Sequence, residues 1–458
     1  QGMQFFGPPS RINFLGGMAV LISSMIGPGL VTIPSVFQTA GFVTSLTMFI
    51  VAVFLSASSA LLLCESISSI PGNEGFSNKI EYTKLSQALI PNKFVQALVH
   101  FFLYVSLESI IIASIVLSSQ SLDSLFVILF GTSCGLGVSP DFGWICTQSL
   151  GSGSGPFGDK WMIITLGLAA TLLIVIPMAW MNLSNNAKIQ IEDQSQVVGA
   201  VLFNYGFVTS VPSVVSELKK DVSIKRLVWS AVLITTTFYL LLGIFGAASY
   251  KIETSTNIIA IIRKVELENS VAEVATYLFP FLLLFSIPVY AIVLRYNLMR
   301  SGLSKSENKA ILFVLFPWIL VIPLQTGYWL NVFTNWTALI FIGGSNFIIP
   351  FLLYILSQRQ DAYPPELPIS PLTKVFSIGD EEDEFAEAKP FRAFSCCEKR
   401  QTRKEKHGSE SKGKVDDGEE YGWSWGLVTA WTASMVSLLM IGAIIVYNLL
   451  SLLKLESL

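Results

Sequence analysis

Histidine is almost missing from this chain, with two residues in 458. Imidazole is the commonest metal ligand and the commonest general base near neutral pH. A His-built metal centre is therefore not expected. Cysteine does not fill the gap, because the five present form no C-x-x-C and no Cys/His cluster. No nucleophile–base constellation stands out either, so the reading is not an enzyme, with no cofactor and no metal. Charge is scarce: Asp, Glu, Lys and Arg make up 13%, against about 25% in a soluble domain. The net charge of −3 carries no basic bias, which argues against nucleic acid as a partner. The opening QGMQFFGPPSRINF lacks a charged stretch followed by a short apolar core and a small-residue cleavage site. No cleavable signal is expected, and the first span should act as its own.

What is abundant is apolar sequence, 52% of the residues, with a mean hydropathy of +0.60. A membrane helix needs about 20 such residues. Runs of that kind fall at 14–39, 42–66, 94–118 (running on to 130), 160–182, 196–216, 227–248, 272–298, 309–330, 334–356 and 423–452. The chain reads as an all-α polytopic membrane protein with ten visible spans and a lipid bilayer as its medium. Lys and Arg concentrate in loops 67–93, 217–226, 299–309 and 357–422, which marks these as cytoplasmic, together with the N-terminus, 1–13. Two loops on one side must be separated by an even number of spans. Between the first and second of these loops the count is three. The fault lies near Met181–Gln196, so one span is expected to be absent between Asn182 and Gln194.

On that orientation the Gly/Ser-rich loop 131–158 is extracytoplasmic. Cys134 and Cys146 are then a candidate disulfide, worth about 3 kcal/mol or less for so short a loop; two free thiols are the alternative. The sequon at Asn335 is a candidate glycan site on the same side, and the one at Asn182 is expected to be silent. Loop 357–422 has an acidic run followed by a basic one and no apolar period, so it is read as mostly disordered. It is either a docking site for a cytoplasmic partner or a solvated linker before the last span and C-terminus, 423–458.

The first span carries SSMIGPGLVTIPSVF, which places Gly27-Pro28-Gly29 in its middle. Glycine and proline are the poorest helix formers, and an unpaired backbone group in lipid costs several kcal/mol. A second span answers it: VVGAVLFNYGFVTSVPSVVSE has Asn204-Tyr205-Gly206 in its middle and Pro212 beyond. Broken segments in corresponding positions of two halves point to a transporter's central site. Half-helix N-termini attract carboxylate, and freed carbonyls attract ammonium or a small cation. The plainer reading is a pair of ordinary kinks tolerated by neighbouring helices.

With these residues in view, the sequence resembles the amino acid/auxin permease family. GGMAVLISSMIGPGLVTIPSVFQTAGF looks like that family's first helix, through Gly27, Gly29, Pro34, Phe37 and Gly41. VLFNYGFVTSVPSVVSELKKDVS looks like its sixth, through Phe203, Asn204, Pro212 and Glu217, and IPVYAIVLRYNLM like the end of its eighth, through Pro288 and Arg295. The resemblance covers 14–356 and the last span. It implies a leucine-transporter-like fold of two inverted five-helix repeats, here 14–195 and 196–356, plus one further helix. That makes eleven spans with the first and sixth broken. The second break is only the fifth span here, which again puts the missing helix between Asn182 and Gln194. The resemblance also implies substrate contacts at Ser23, Ser24, Ile26, Gly27, Pro28 and Gly29, and at Phe203, Asn204, Tyr205 and Gly206.

Glu108 sits deep in the third span. An ionisable group there costs about 2.5–3.5 kcal/mol on insertion scales and is functional by default. It is the candidate proton carrier, against a structural, hydrogen-bonded carboxyl. Sodium would need oxygen ligands between the first helix and the eighth-type helix, where Ser286 is the one side-chain candidate. The expectation is a secondary transporter of neutral amino acids, driven by protons in preference to sodium, in a plasma or vacuolar/lysosomal-type membrane. The rival is a non-transporting amino acid sensor or a transporter-like subunit of a larger complex. Glu65, Glu217 and Arg295, near span ends, are expected at the interface, with Arg295 snorkelling.

Overall fold

Lipid leaves backbone groups no water to pair with, so apolar runs of this length fold as helices. The computed structural model describes residues 11–27, 29–30, 33–71, 73, 76, 78–139, 142–148, 155–158, 162–183, 205–251, 262, 270–304, 307–325, 333–334, 336–358 and 426–438. Pro28, Phe203, Asn204 and Asn335, nearly all of the interval from Asn182 to Gln194 where a span is expected to be absent, and nearly all of loop 357–422 lie outside these residues.

Helix α1, Phe14–Met25, starts at Asn13, whose side-chain oxygen accepts from the Gly16 N–H at 2.8 Å, a standard N-cap bond. α2, Ile33–Ala40, meets α3, Phe42–Ser68, through Gly41 alone at φ +80°. Glycine takes that angle without steric cost, which gives Gly41 its place after Phe37 a physical reason. α4, Tyr82–Leu89, is a short helix before α5, Lys93–Phe130. With 38 residues, α5 is about 57 Å long, far beyond the ~30 Å hydrocarbon core. Part of it therefore stands outside the membrane.

The segment expected as a loop, 131–158, instead opens with a hairpin. Strands β1, Ser133–Gly137, and β2, Gly143–Thr147, pair antiparallel, and β3, Ile163–Thr165, adds to β1 for a sheet order β2-β1-β3. Cys134 stands opposite Cys146 in the register and is bonded to it. α6, Leu166–Ala179, begins several residues later than the apolar run suggests. Two acceptors fix that start. Thr165 Oγ1 takes the Leu168 N–H at 3.1 Å, and Asp123 of α5 takes the Gly167 N–H at 2.7 Å. Asp123 also accepts from Ser133 Oγ at 2.9 Å, so one buried carboxyl ties α5, the hairpin and α6, at the helix end that favours negative charge.

The second half opens with a 3₁₀ turn, Gly206–Ser210, running into α7, Val211–Glu217. α8, Ile224–Ser249, α9, Ser270–Arg300, and α10, Glu307–Leu320, follow. Two π-helical stretches, Ala338–Ile342 and Gly344–Ile348, then lead into α11, Ile349–Ser357, and α12 is Gly426–Leu438. Among the described residues, four helices are long and apolar enough to cross a membrane: Phe42–Ser68, Lys93–Phe130, Ile224–Ser249 and Ile340–Ser357. The chain is a mostly helical, polytopic membrane protein.

Two charged residues depart from expectation. Arg295 does not snorkel. It is 2% exposed and donates to the carbonyls of Trp180 and Met181 at 3.1 and 2.8 Å. Those carbonyls close the C-terminus of α6, the negative end of its dipole, so the cation is stabilised inside the protein. Glu217 is also buried, paired with Lys79 at 2.8 Å. Glu65 is half-buried, 3.5 Å from the Tyr354 hydroxyl.

Candidate functional site

Helix α1 ends at Met25. Ile26 still donates to Ile22 at 2.9 Å but has turned extended, at φ −75° and ψ 100°. Leu30 donates to Gly27 at 3.2 Å before α2 restarts at Ile33. Ser24, Ile26 and Gly27 are buried, while Ser23 and Gly29 are half-buried. The Ser24 hydroxyl bonds back to its own helix, to Val20 at 2.8 Å.

Across from this tip lies the turn Gly206–Ser210, the described part of the second expected break. Tyr205 and the whole turn Gly206–Ser210 are buried. Pro212 falls in the first turn of α7, where a missing N–H costs nothing. Gly206 sits in close quarters: a Cβ there would lie 3.2 Å from Ile342 and 3.3 Å from Ile110. The two breaks meet through Ser210 Oγ and Ser24 Oγ, 3.4 Å apart.

Several residues that the sequence did not single out hold this arrangement. The Tyr239 hydroxyl of α8 donates to the Met25 carbonyl at 2.9 Å, and that of Tyr290 on α9 to the Ser24 carbonyl. The Tyr205 hydroxyl bonds Thr236 of α8, and Ser56 of α3 donates to the Tyr205 carbonyl at 3.4 Å. Asn346, inside the second π stretch, accepts the Thr209 N–H at 3.2 Å, while Ser59 donates to its carbonyl at 2.5 Å. π-helical turns often mark functional positions, and hydrophobic periodicity does not reveal them. Pro28 was the one available hint to the tyrosines, since it removes a backbone donor.

The ion-coupling candidates lie on α5 and α9. Glu108 is half-buried on α5, and its Oε2 is buried without a hydrogen-bond partner among the described residues. Ile110, two residues on, faces Gly206, and two residues turn a helix by about 200°. Glu108 therefore points away from the second break. Ser286 is buried on α9, one turn before Tyr290. A cavity of about 10 Å³, lined by Ile111, Trp180, Arg295, Trp318 and neighbours, is about large enough for one water. None of its lining residues belongs to a break.

A buried ionic cluster closes the end of the molecule where α7 and α9 finish. Glu81, at the N-terminus of α4, is fully buried, pairs with Arg300 and accepts from Ser213 of α7 at 2.5 Å. Burial pushes its carboxyl above the usual range, and the Arg300 guanidinium pulls it back. Nearby, Ile12 donates to the Glu217 carbonyl at 2.7 Å and accepts from Lys219 at 2.9 Å. The chain ahead of α1 is thus bridged to the chain after α7.

The interrupted end of α1 is buried against the turn Gly206–Ser210 inside a bundle of apolar helices, as in a polytopic membrane protein. The model of the family described as transmembrane amino acid transporter protein matches residues 10–323, and the chain belongs to that family. It is a family of transporters, not of enzymes, and its members work in lipid on amino acids. The match includes both breaks and stops short of Ala338–Ser357 and α12. Comparison with curated proteins gives no match.

Proposed function

We propose that the chain is a secondary active transporter of neutral amino acids, driven by protons, that works by alternating access around the two helix breaks. One observation carries this: the tip of α1 and the turn Gly206–Ser210 are buried against each other and joined at Ser24–Ser210. Paired half-helix ends suit a zwitterion, whose two charges match opposite ends of helix dipoles. The described residues at the breaks, from Ser23 to Leu30 and from Tyr205 to Ser210, carry no charged side chain, which suits a neutral substrate. Pro28, Phe203 and Asn204 complete the proposed contact set.

Protons are favoured over sodium on oxygen supply. Ser286 is the one side-chain oxygen counted as a sodium ligand between α1 and α9, a thin supply for a cation that needs several oxygens. Glu108 is the proposed proton carrier. Because it faces away from Gly206, its influence on the breaks runs through movement of α5. Segments 1–13 and 357–422 are proposed cytoplasmic and the hairpin extracytoplasmic, with 14–195 and 196–356 as the inverted repeats, in a plasma or vacuolar/lysosomal-type membrane. The oxidising side fits the Cys134–Cys146 bond.

Uptake of labelled amino acids into proteoliposomes under imposed pH and sodium gradients tests the proposal. A pH gradient is expected to drive accumulation of a neutral amino acid, and a sodium gradient alone is not. Retained binding with no uptake under any gradient would replace the transporter reading with that of a sensor.

A further inference from the structure

In an unbroken helix the carbonyl of residue 24 would take the N–H of residue 28, and that of residue 25 the N–H of residue 29. Residue 28 is proline and has no N–H. The Ser24 carbonyl therefore needs a donor from elsewhere. Tyr290 of α9 supplies one, and Tyr239 of α8 supplies another to the Met25 carbonyl at 2.9 Å. Both tyrosines are at most 1% exposed. The Tyr239 ring is fixed against Phe49 and Tyr205, with centroids 5.9 and 5.6 Å away. Two hydroxyls from two separate helices thus converge on the two carbonyls at the tip of the first half-helix.

Those carbonyls form the negative end of the half-helix dipole, the acceptors that a ligand's ammonium group requires. Each has a second lone pair, and each already accepts one buried hydroxyl. We propose that Tyr239 and Tyr290 are positioning residues that hold this tip closed, and that an amino acid's ammonium group takes the carbonyls by displacing the two hydroxyls. The tyrosines then set how tightly the amino group is held. This rests on the reading of the breaks as an amino acid site. The exchange trades a neutral hydrogen bond at each carbonyl for a charge-assisted one, which is roughly twice as strong, against the cost of parting each buried tyrosine hydroxyl from its acceptor.

The test uses purified full-length protein in nanodiscs. Binding of each standard amino acid is measured calorimetrically to wild type, Tyr290→Phe and Tyr239→Phe, and the tightest binder is compared with its N-acetyl form, which lacks the ammonium. Each variant is expected to bind the amino acid about threefold to tenfold more tightly, the equivalent of one net hydrogen bond. The N-acetyl form should gain nothing. Unchanged or weaker binding of the amino acid by both variants overturns the proposal while leaving the amino acid site standing. A wild-type chain that binds no amino acid overturns both. If the variants do not fold, infrared difference spectra of wild type with ring-labelled tyrosine decide. Adding the amino acid should shift the tyrosine C–O band, and an unshifted band overturns the proposal.

Discussion

The carbonyls of Ser24 and Met25 draw their hydrogen bonds from α9 and α8, and Arg295 of α9 does the same service for the end of α6. At the scale of single residues, this chain repairs its helix ends with side chains from other helices. Replacing Arg295 by Met should leave the Trp180 and Met181 carbonyls without that donor, at a cost of about 2 kcal/mol or more. A lowered thermal unfolding temperature in detergent would report it, with Arg295→Lys recovering part of the loss. Glu108→Gln keeps the shape and removes the titrating group. Accumulation driven by a pH gradient should vanish, while counterflow exchange of the same amino acid at equal pH persists. Loss of exchange as well would assign Glu108 a structural role.

Among the elements, the first break was legible because its cause is local: Gly27, Pro28 and Gly29 weaken a helix wherever they stand. The hairpin was not, since five-residue strands with Gly135 and Gly137 inside β1 do not stand out from a Gly/Ser-rich loop. Asp123 was within reach of the rule that flagged Glu108, an ionisable group in an apolar run, but what it does depends on Gly167 and Ser133, distant in sequence. Helix packing also hides in single glycines. A Cβ on Gly243 of α8 would lie 2.4 Å from the buried ring of Phe37 on α2. Gly243→Ala should therefore cost about 1–3 kcal/mol through overpacking, seen as a lowered unfolding temperature. The Glu81 cluster links α4, α7 and α9 by ionic contact. Glu81→Ala should destabilise the fold by about 3 kcal/mol, because it leaves Arg300 without its carboxylate. Restoration of stability by Arg300→Met in the same chain would show that the unpaired cation is the cause.

For the whole molecule, composition alone required a polytopic membrane protein, and membership of the transmembrane amino acid transporter family agrees with the motifs around both breaks. What composition and spacing do not carry is how the halves meet. The contact between Ser24 and Ser210 joins residues 186 positions apart, and Asn346 reaches Thr209 from 137 positions away. The central claim is that this junction opens to each side of the membrane in turn. Ser210→Cys, in a chain whose Cys64, Cys396 and Cys397 are replaced by Ala, tests it most directly. In sealed vesicles an impermeant thiol reagent should label this cysteine when applied to either face. Saturating neutral amino acid should slow both reactions. Labelling from one face only, or labelling that no amino acid slows, would contradict the account.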